Sequence, residues 1–362
     1  MRYAHEFKIG DRTIGLNEPT YFIADIASSH DGQLERAKQL IWLAKEAGAD
    51  CAKFQHFLAK DIVSDEGFQA LGGQIAHQAD WKESVYQIFE RYQTPRDWTS
   101  ELVEECRKAD IDFMTTPYDL EAISLVDPFL KAFKIGSGDI GWSQFIQAVC
   151  ETGKPVFLAA GAADMEDVER AVEAALGKTR ELCLMQCNTN YTGSLENFAN
   201  VNLNVLRAFA LKYPGMPLGL SDHTPGHSVV LGAVTLGACA VEKHFTDDND
   251  RDGPDHPFSM NPESWREMVG RTRELELALG DGIKRIEANE YDSSVVQRRC
   301  LRLTRDISAG ETITETDLEA LRPRPIGSVE PFELDLVVGQ PLKTSLKKGD
   351  ALMWDDVSDL PC

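Results

Sequence analysis

Residues 217–224, PLGLSDHT, and residues 238–246, ACAVEKHFT, are two short apolar runs that each end in polar residues. Apolar runs of about four to eight residues between turn signals are typical of strands that are covered on both faces of a parallel sheet. Each run ends close to a histidine, His223 or His244, and a buried strand needs no imidazole for its stability. The two runs therefore predict an α/β fold with functional groups at its strand ends.

Six similar runs precede these two. They are YFIADIA (21–27), CAKFQ (51–55), DFMTTP (112–117), AFKIG (132–136), PVFLAAG (155–161) and LCLMQC (182–187). Helix-like segments between the runs include 34–48, 97–109, 164–176 and 197–213. Eight βα units of this length favour a closed (β/α)8 TIM barrel over an open doubly wound sheet. GxxxxGK[ST] does not occur in the chain, which argues against a P-loop nucleotide-binding fold.

Composition and charge restrict the class of partner. The chain has 362 residues, of which 43% are hydrophobic and 27% charged, as in ordinary globular proteins. Its net charge of −22 argues against nucleic acid and anionic membranes as partners, because the overall field repels polyanions. The eight cysteines include no CxxC pair, which is typical of reduced thiols. Without an apolar signal core or a run of about 18 apolar residues, a cytoplasmic protein is expected.

Strand alternation predicts which polar side chains face the barrel lumen. Active sites of such barrels form at the carboxyl ends of the strands, where every second side chain points inward. The inward set at the ends of the second, fourth, seventh and eighth strands is Lys53, Gln55, Lys134, Ser221, His223, Glu242 and His244. We expect these groups to converge on one point. Lys243 has the opposite parity, which predicts a place on the outer face or at the rim.

The two histidines predict a metal site. Imidazoles on adjacent strand ends can hold a divalent cation at two points, with water and a carboxylate as further ligands. Such an ion keeps open positions, which suits the polarisation of a carbonyl group. A pair of hydrogen-bonded core histidines is the alternative.

The two inward lysines predict an anionic substrate. Lys53 and Lys134 are costly to bury unless they meet anions. In KIGSGDI (134–140), glycines flank Ser137, so the backbone can approach a phosphate closely. A substrate with a phosphate and a carboxylate would satisfy both lysines. The alternative is that one lysine forms a Schiff base, as in metal-independent aldolases.

Taken together, these motifs resemble those of the sialic acid (N-acetylneuraminate) synthases and related enzymes that make other nonulosonic acids. The resemblance covers nearly the whole chain. It rests on IADIASSHDG (23–32), AKFQ (52–55), TTPYD (115–119), KIGSGD (134–139), GLSDHT (219–224), VEKHFT (241–246) and GPDHPFSM (253–260).

The tail agrees with this family. SAGETITETDL (308–318) and KKGDALMWDDV (347–357) form a half-repeat, which indicates a small β-rich module with internal pseudo-symmetry. It resembles the antifreeze-like (β-clip) domain of these synthases, whereas an ordinary β-hairpin appendage is the alternative. We therefore expect a TIM barrel over residues 1–282, a linker over 283–299 and an antifreeze-like domain over 300–362.

The resemblance implies a reaction and a set of site residues. Phosphoenolpyruvate adds through C3 to the open-chain aldehyde of an N-acetylated amino sugar, such as N-acetylmannosamine; water attacks C2, and phosphate leaves by C–O cleavage. The metal ligands are His223 and His244, usually for Mn²⁺, with Mg²⁺, Co²⁺ or Zn²⁺ also possible. The implied catalytic groups are Asp25, Lys53, Asp139 and Asp255. The implied substrate contacts are Lys53, Lys134, Ser137, Thr189, Tyr191, Ser221, Glu242 and Arg322. Arg322 matches an arginine that reaches the other subunit's active site, which implies a domain-swapped homodimer.

Four departures from the family pattern predict a shifted substrate or a divergent subgroup. One of them is Gln74, near a position that the family often fills with asparagine. Asp25 stands where the family usually has glutamate, so its carboxylate reaches one methylene less far. Ala159-Ala160-Gly161 replaces Ser-Thr-Gly, which removes a hydroxyl expected on the phosphate. Thr189 replaces an asparagine. A pyruvate-dependent Schiff-base aldolase and a non-catalytic sugar-binding protein, which would bind through its C-terminal module, are the alternative functions.

Overall fold

The computed structural model describes residues 3–71, 74, 76–79 and 81–357. The chain divides into two compact units, with the boundary between Gly280 and Asp281. Cys362 and the last residues of the predicted antifreeze-like domain lie outside the described residues.

The first unit is a nearly closed parallel barrel that follows a small antiparallel hairpin. The hairpin consists of β1 (Glu6–Ile9) and β2 (Arg12–Gly15). The eight barrel strands are β3 (Tyr21–Asp25), β4 (Cys51–His56), β5 (Asp112–Pro117), β6 (Phe133–Ile135), β7 (Val156–Ala159), β8 (Leu182–Cys187), β9 (Leu218–Asp222) and β10 (Ala238–His244). Their spatial order is β5-β4-β3-β10-β9-β8-β7-β6, and all paired neighbours are parallel. The predicted (β/α)8 barrel is confirmed.

Helices connect the strands on the outside. They are α1 (Leu34–Glu46), α2 (Ala59–Ile62), α3 (Asp65–Ala70), α4 (Val85–Tyr92), α5 (Thr99–Ala109), α6 (Leu120–Val126), α7 (Ser143–Cys150), α8 (Met165–Leu176), α9 (Val205–Lys212), α10 (Ser228–Thr235) and α11 (Pro262–Leu279). The helix expected over 197–213 is wrong at its start. Leu195–Asn200 is a 3-10 helix, and Asn202 has a φ of 50°, which interrupts a right-handed helix before α9 begins.

Apolar side chains close the amino end of the barrel. Phe7 and Ile14 of the hairpin are buried with Tyr21 and Phe157 of the barrel strands. Phe7 meets Phe157 edge-on at 5.7 Å between ring centroids, and Tyr21 stacks on Phe157 at 6.2 Å. Apolar side chains thus fill this end of the lumen, so the space for buried polar side chains lies at its carboxyl end.

The second unit has its own core and shows the half-repeat in its backbone. Its elements are α12 (Tyr291–Val296), which lies within the predicted linker, β11 (Cys300–Leu303), β12 (Leu318–Leu321) and α13 (Leu334–Val337). Each half of the repeat ends in a 3-10 turn, Glu315–Asp317 or Trp354–Asp356. The closing aspartate accepts a backbone N–H from three residues earlier in both turns, at 2.9 Å and 3.0 Å. The two halves thus fold alike locally.

The cysteines and helices bear on the compartment predictions. The seven cysteines in the described part of the chain are all buried and free. No helix in the described part of the chain is long and apolar enough to cross a membrane.

Candidate active site

The carboxyl ends of the barrel strands surround a small polar chamber of about 40 Å³. Nine of the predicted site residues line it: Asp25, Lys53, Lys134, Ser137, Tyr191, Ser221, His223, Glu242 and His244. The alternation of side chains along the strands places these groups together, since each strand turns its polar residues toward the lumen at this level.

Both lysines in the chamber are paired with carboxylates. Lys53 Nζ donates to Asp25 Oδ2 at 2.5 Å, and Lys134 Nζ lies 3.2 Å from Glu242 Oε1. Ser221 donates to the same Glu242 oxygen at 3.2 Å. Burial alone would lower the pKa of Lys53, but Asp25 and Glu242 raise it. Lys53 is therefore an ammonium group at neutral pH, and an entering anion competes with the protein's own carboxylates for it.

The two histidines lie side by side, with ring centroids 5.4 Å apart. His223 Nδ1 is 2.9 Å from the backbone carbonyl of Asn188, so it donates and leaves the Nε2 lone pair free. Burial, together with His244, lowers the pKa of His223 to about 4, which keeps this ring neutral. Burial would also lower the pKa of His244, but Asp255 and Asp25 raise it.

The histidine pair fits a divalent cation. His244 Nδ1 is buried without a hydrogen-bond partner, and its distance of 3.6 Å to Asp255 Oδ2 is too long for a direct bond. The backbone bond of His223 fixes its tautomer, as hydrogen bonds to metal-ligating imidazoles do. In the described part of the chain, no three His, Cys, Asp or Glu residues cluster as a ready-made metal site. Two protein nitrogens, with water or substrate as the other ligands, therefore match this donor set.

Two further acids differ in protonation. Burial raises the pKa of Asp139 to about 6, with only a partial offset from Lys134, and Asp139 Oδ2 is buried without a partner. For Asp255, burial acts in the same direction, but His244 and the N–H of Ser28 lower its pKa to about 2. At neutral pH, Asp139 is thus close to its titration point, while Asp255 is fully ionised. Two carboxyls with separated pKa values suit acid–base chemistry.

A larger cleft of about 300 Å³ opens beside the chamber. Tyr118, Gly136, Ser137, Tyr191 and His244, together with Gln55, line both cavities and form the neck between them. The Tyr191 ring lies 4.2 Å from the His223 ring between centroids. The outer wall of the cleft is largely apolar and aromatic: Phe57, Ile62, Trp81, Ile88, Phe89 and Tyr92.

Asp139, Thr189, Asp255 and Arg322 lie outside the chamber lining. Asp139 follows Ser137 in a 3-10 turn, and Asp255 lines the cleft. Thr189 is half-buried against Gly161, where a Cβ would lie only 2.6 Å from Thr189 Cγ2. Ser137 Oγ accepts the Gly161 N–H at 2.9 Å. Arg322 belongs to the second unit, before Pro323.

Sequence reasoning missed the contact that anchors Asp255. The Ser28 N–H donates to Asp255 Oδ2 at 3.0 Å, and His256 Nε2 lies 2.9 Å from Asp31 Oδ1. His256 Nδ1 lies 2.7 Å from the hydroxyl of Thr246. These residues come from the IADIASSHDG, VEKHFT and GPDHPFSM motifs, which were recognised in the sequence. That the three motifs contact one another is visible only in the structure.

Comparison with known proteins gives the family. Residues 40–284 match the NeuB family, and residues 298–358 match the SAF domain. The chain belongs to the NeuB family. It is 34% identical to the N,N'-diacetyllegionaminic acid synthase of Campylobacter jejuni over 84% of this chain and 90% of that protein. It is 32% identical to the synthase of the same name from Legionella pneumophila over 96% and 97%.

The structure agrees with this membership. The crystal structure of N-acetylneuraminic acid synthetase from Leptospira borgpetersenii, in complex with citrate, superposes with a TM-score of 0.69 at 27% identity. The superposition covers 80% of this chain and 94% of that one. This NeuB family member is therefore an enzyme of the acid-synthase class with a C-terminal antifreeze-like (SAF) domain, and both features were predicted from the motifs.

Proposed function

We propose that this enzyme condenses phosphoenolpyruvate with the open-chain aldehyde of an N-acylated amino sugar and releases inorganic phosphate. The observation that carries the proposal is the single chamber in which two buried lysines lie beside two histidines. The names of the relatives support it, since they are synthases of sialic and legionaminic acids.

Phosphoenolpyruvate binds through its two anionic groups. Its carboxylate and phosphate take the place of the Asp25 and Glu242 carboxylates on Lys53 and Lys134, and the hydroxyls of Ser137 and Ser221 add neutral donors. The chamber of about 40 Å³ is little larger than the ~30 Å³ that one water occupies in the liquid. Substrate entry therefore separates the lysine–carboxylate pairs and widens the chamber.

The protein's own acids manage the protons. C3 of phosphoenolpyruvate bonds to the aldehyde carbon, water adds at C2, and the C–O bond to phosphate breaks. Asp139 or Asp255 takes one proton of that water, and the former aldehyde oxygen gains one. The second proton of the water leaves when C2 becomes a ketone and is carried away by the released phosphate. Fixed positions on rigid strand ends replace a chance encounter of the two substrates.

His223 and His244 would hold the divalent cation, with Mn²⁺ first and Mg²⁺, Co²⁺ or Zn²⁺ as alternatives. When bound there, such an ion polarises the aldehyde carbonyl as a Lewis acid.

The acceptor sugar occupies the outer cleft. Its aromatic wall suits the methyl of an N-acyl group, with Tyr191 at the neck, whereas Thr189 lines neither cavity and would reach the sugar only after a local shift. N-acetylmannosamine is the simplest acceptor. A diacetamido sugar is the second candidate, because the two synthases compared above are named for a diacetylated acid.

The assembly and location follow the same proposal. Arg322 completes the active site of a second copy in a domain-swapped homodimer, and the enzyme works in the cytoplasm. Sedimentation velocity tests the dimer. Mixing an Arg322→Ala chain with a Lys53→Met chain should then restore activity that neither inactive parent has, since mixed dimers contain one intact site.

The test of the reaction is phosphate release from phosphoenolpyruvate with N-acetylmannosamine, other N-acylhexosamines and a diacetamido hexose, with Mn²⁺ or with EDTA. We expect release that depends on both the sugar and the ion. No release with any acceptor would overturn the proposal. Sugar-induced thermal stabilisation without release would instead favour the sugar-binding alternative.

A further inference from the structure

We infer that Tyr118 and Gly136 form a subsite that binds the acceptor sugar's hydroxyl nearest to its reacting carbon, the C3 hydroxyl of a 2-acylamino sugar. The inference rests on the proposed function and assigns to it a contact that sequence reasoning missed. Its basis is the neck between the chamber and the cleft, which both residues line.

The Tyr118 hydroxyl has hydrogen-bonding capacity to spare. Its ring packs edge-on against Phe57 at 5.8 Å between centroids, and its hydroxyl makes no hydrogen bond with the described residues. Tyr118 is half-buried at the neck, and a tyrosine hydroxyl that loses its water when a substrate enters needs a new partner. Burial raises the pKa of Tyr118 well above 10, and Asp139 and Asp25 raise it further, so the group is a permanent donor.

Gly136 leaves the space that this donor faces. A methyl group built on Gly136 would lie 3.7 Å from the Tyr118 hydroxyl oxygen and 4.0 Å from Asp139 Oδ2. That Asp139 oxygen is itself buried without a partner. A donor and an acceptor thus face one small gap, and a hydroxyl group complements both, because it can accept from Tyr118 and donate to Asp139.

The position of the gap decides which substrate it serves. Phosphoenolpyruvate belongs to the lysines of the inner chamber, and the acyl group belongs to the aromatic outer cleft. Only the part of the acceptor between its acyl group and phosphoenolpyruvate must pass the neck. In a 2-acylamino sugar such as N-acetylmannosamine, that part is the aldehyde carbon, the acylated C2 and C3 with its hydroxyl. The subsite therefore acts on the sugar and leaves phosphoenolpyruvate binding unchanged.

Gly136→Ala is a mild probe of this gap. Gly136 has φ −70° and ψ 156°, which any residue adopts, and the new methyl makes only ordinary contacts. Gly141→Ala is the matched control, because Gly141 is exposed, lines neither cavity and would have nothing within 4 Å of its new Cβ. Tyr118→Phe removes the donor and keeps the ring, and Tyr86→Phe makes the same change on α4 at a residue that lines neither cavity.

The experiment measures phosphate release at varied N-acetylmannosamine and varied phosphoenolpyruvate with Mn²⁺; the best acceptor of the panel replaces N-acetylmannosamine if that sugar is inactive. We expect Tyr118→Phe to raise the sugar KM about three- to tenfold, the value of one hydrogen bond, and Gly136→Ala at least as much. The phosphoenolpyruvate KM and both controls should stay within about twofold of the wild type.

The possible outcomes separate the subsite from the proposed function. An unchanged sugar KM in Tyr118→Phe, or an equal rise for both substrates, overturns the subsite while the proposed function stands. If Gly136→Ala lowers the melting temperature, Tyr118→Phe alone decides. A wild-type enzyme that releases no phosphate with any acceptor overturns the proposed function, and the subsite with it.

Discussion

Replacing Lys243 by methionine should lower the free energy of unfolding more than replacing any surface lysine. Lys243 is buried on the outer face of β10, where its Nζ lies 2.5 Å from Asp222 Oδ2 and 2.5 Å from the Thr224 carbonyl. β9 and β10 pair these two residues directly, and α10 packs over both strands. The single variant leaves the Asp222 carboxylate buried without its counter-charge.

The expected loss follows from that geometry. Removing one partner of a buried ion pair costs about 3–5 kcal/mol. Thr224 still donates its backbone N–H and hydroxyl to Asp222 at 3.1 Å and 2.9 Å, so we expect the lower end, about 3 kcal/mol. Asp222→Asn with Lys243→Met keeps the acceptor for Thr224 and removes both charges, so the double variant should recover at least half of the loss.

Urea unfolding followed by tryptophan fluorescence measures these differences. Lys38→Met is the control, because Lys38 pairs with the exposed Glu101 at the surface and should cost less than about 1 kcal/mol. A Lys243→Met variant that loses no more than this control would refute the reasoning. So would a double variant less stable than both single ones.

Three further predictions concern the site. Phosphate release should fall to the no-enzyme background with EDTA, in His223→Ala and in His244→Ala. Added Mn²⁺ should restore activity only to the EDTA-treated wild type. Restoration of either variant would contradict the ligand assignment. Asp139→Asn should lower release at least about a hundredfold. The same variant should also gain stability in urea, and the gain should be larger at pH 7.5 than at pH 4.5. The reason is that burial raises the pKa of Asp139 in the folded protein to about 6, so the wild type loses stability as pH rises from about 4 to 6. Equal gains at both pH values would exclude a raised pKa. Borohydride with pyruvate should not inactivate the enzyme, since the ion pair keeps Lys53 protonated; a trapped adduct by mass spectrometry would favour the Schiff-base alternative.

The fold was predictable because strand-length apolar runs recur eight times, and strand alternation alone puts Lys53 and Lys134 on the lumen side. The same alternation predicts Lys243 on the outer face or at the rim, and Lys243 is buried but does not line the chamber, unlike Glu242 and His244 on either side of it. Its partner was not predictable, because pairing Asp222 with Lys243 depends on the register between β9 and β10. Local periodicity does not contain that register.

The cleft was the least predictable part of the site. Its outer wall comes from the insertion between β4 and α5, where short helices such as α2 and α4 have no long apolar repeat to reveal them. Tyr118 stood inside a recognised motif, yet its role depends on Gly136, which lies on another strand end. Contacts of this kind arise from tertiary packing, so only the folded chain displays them.

The most direct test of the central claim is the anomalous diffraction of a crystal soaked with Mn²⁺ and phosphoenolpyruvate, recorded at the manganese edge. We predict one strong peak bonded to a ring nitrogen of His223 and of His244, with the enol phosphate held by Lys53 and Lys134. A peak away from both imidazoles, or phosphoenolpyruvate bound elsewhere, would contradict the account.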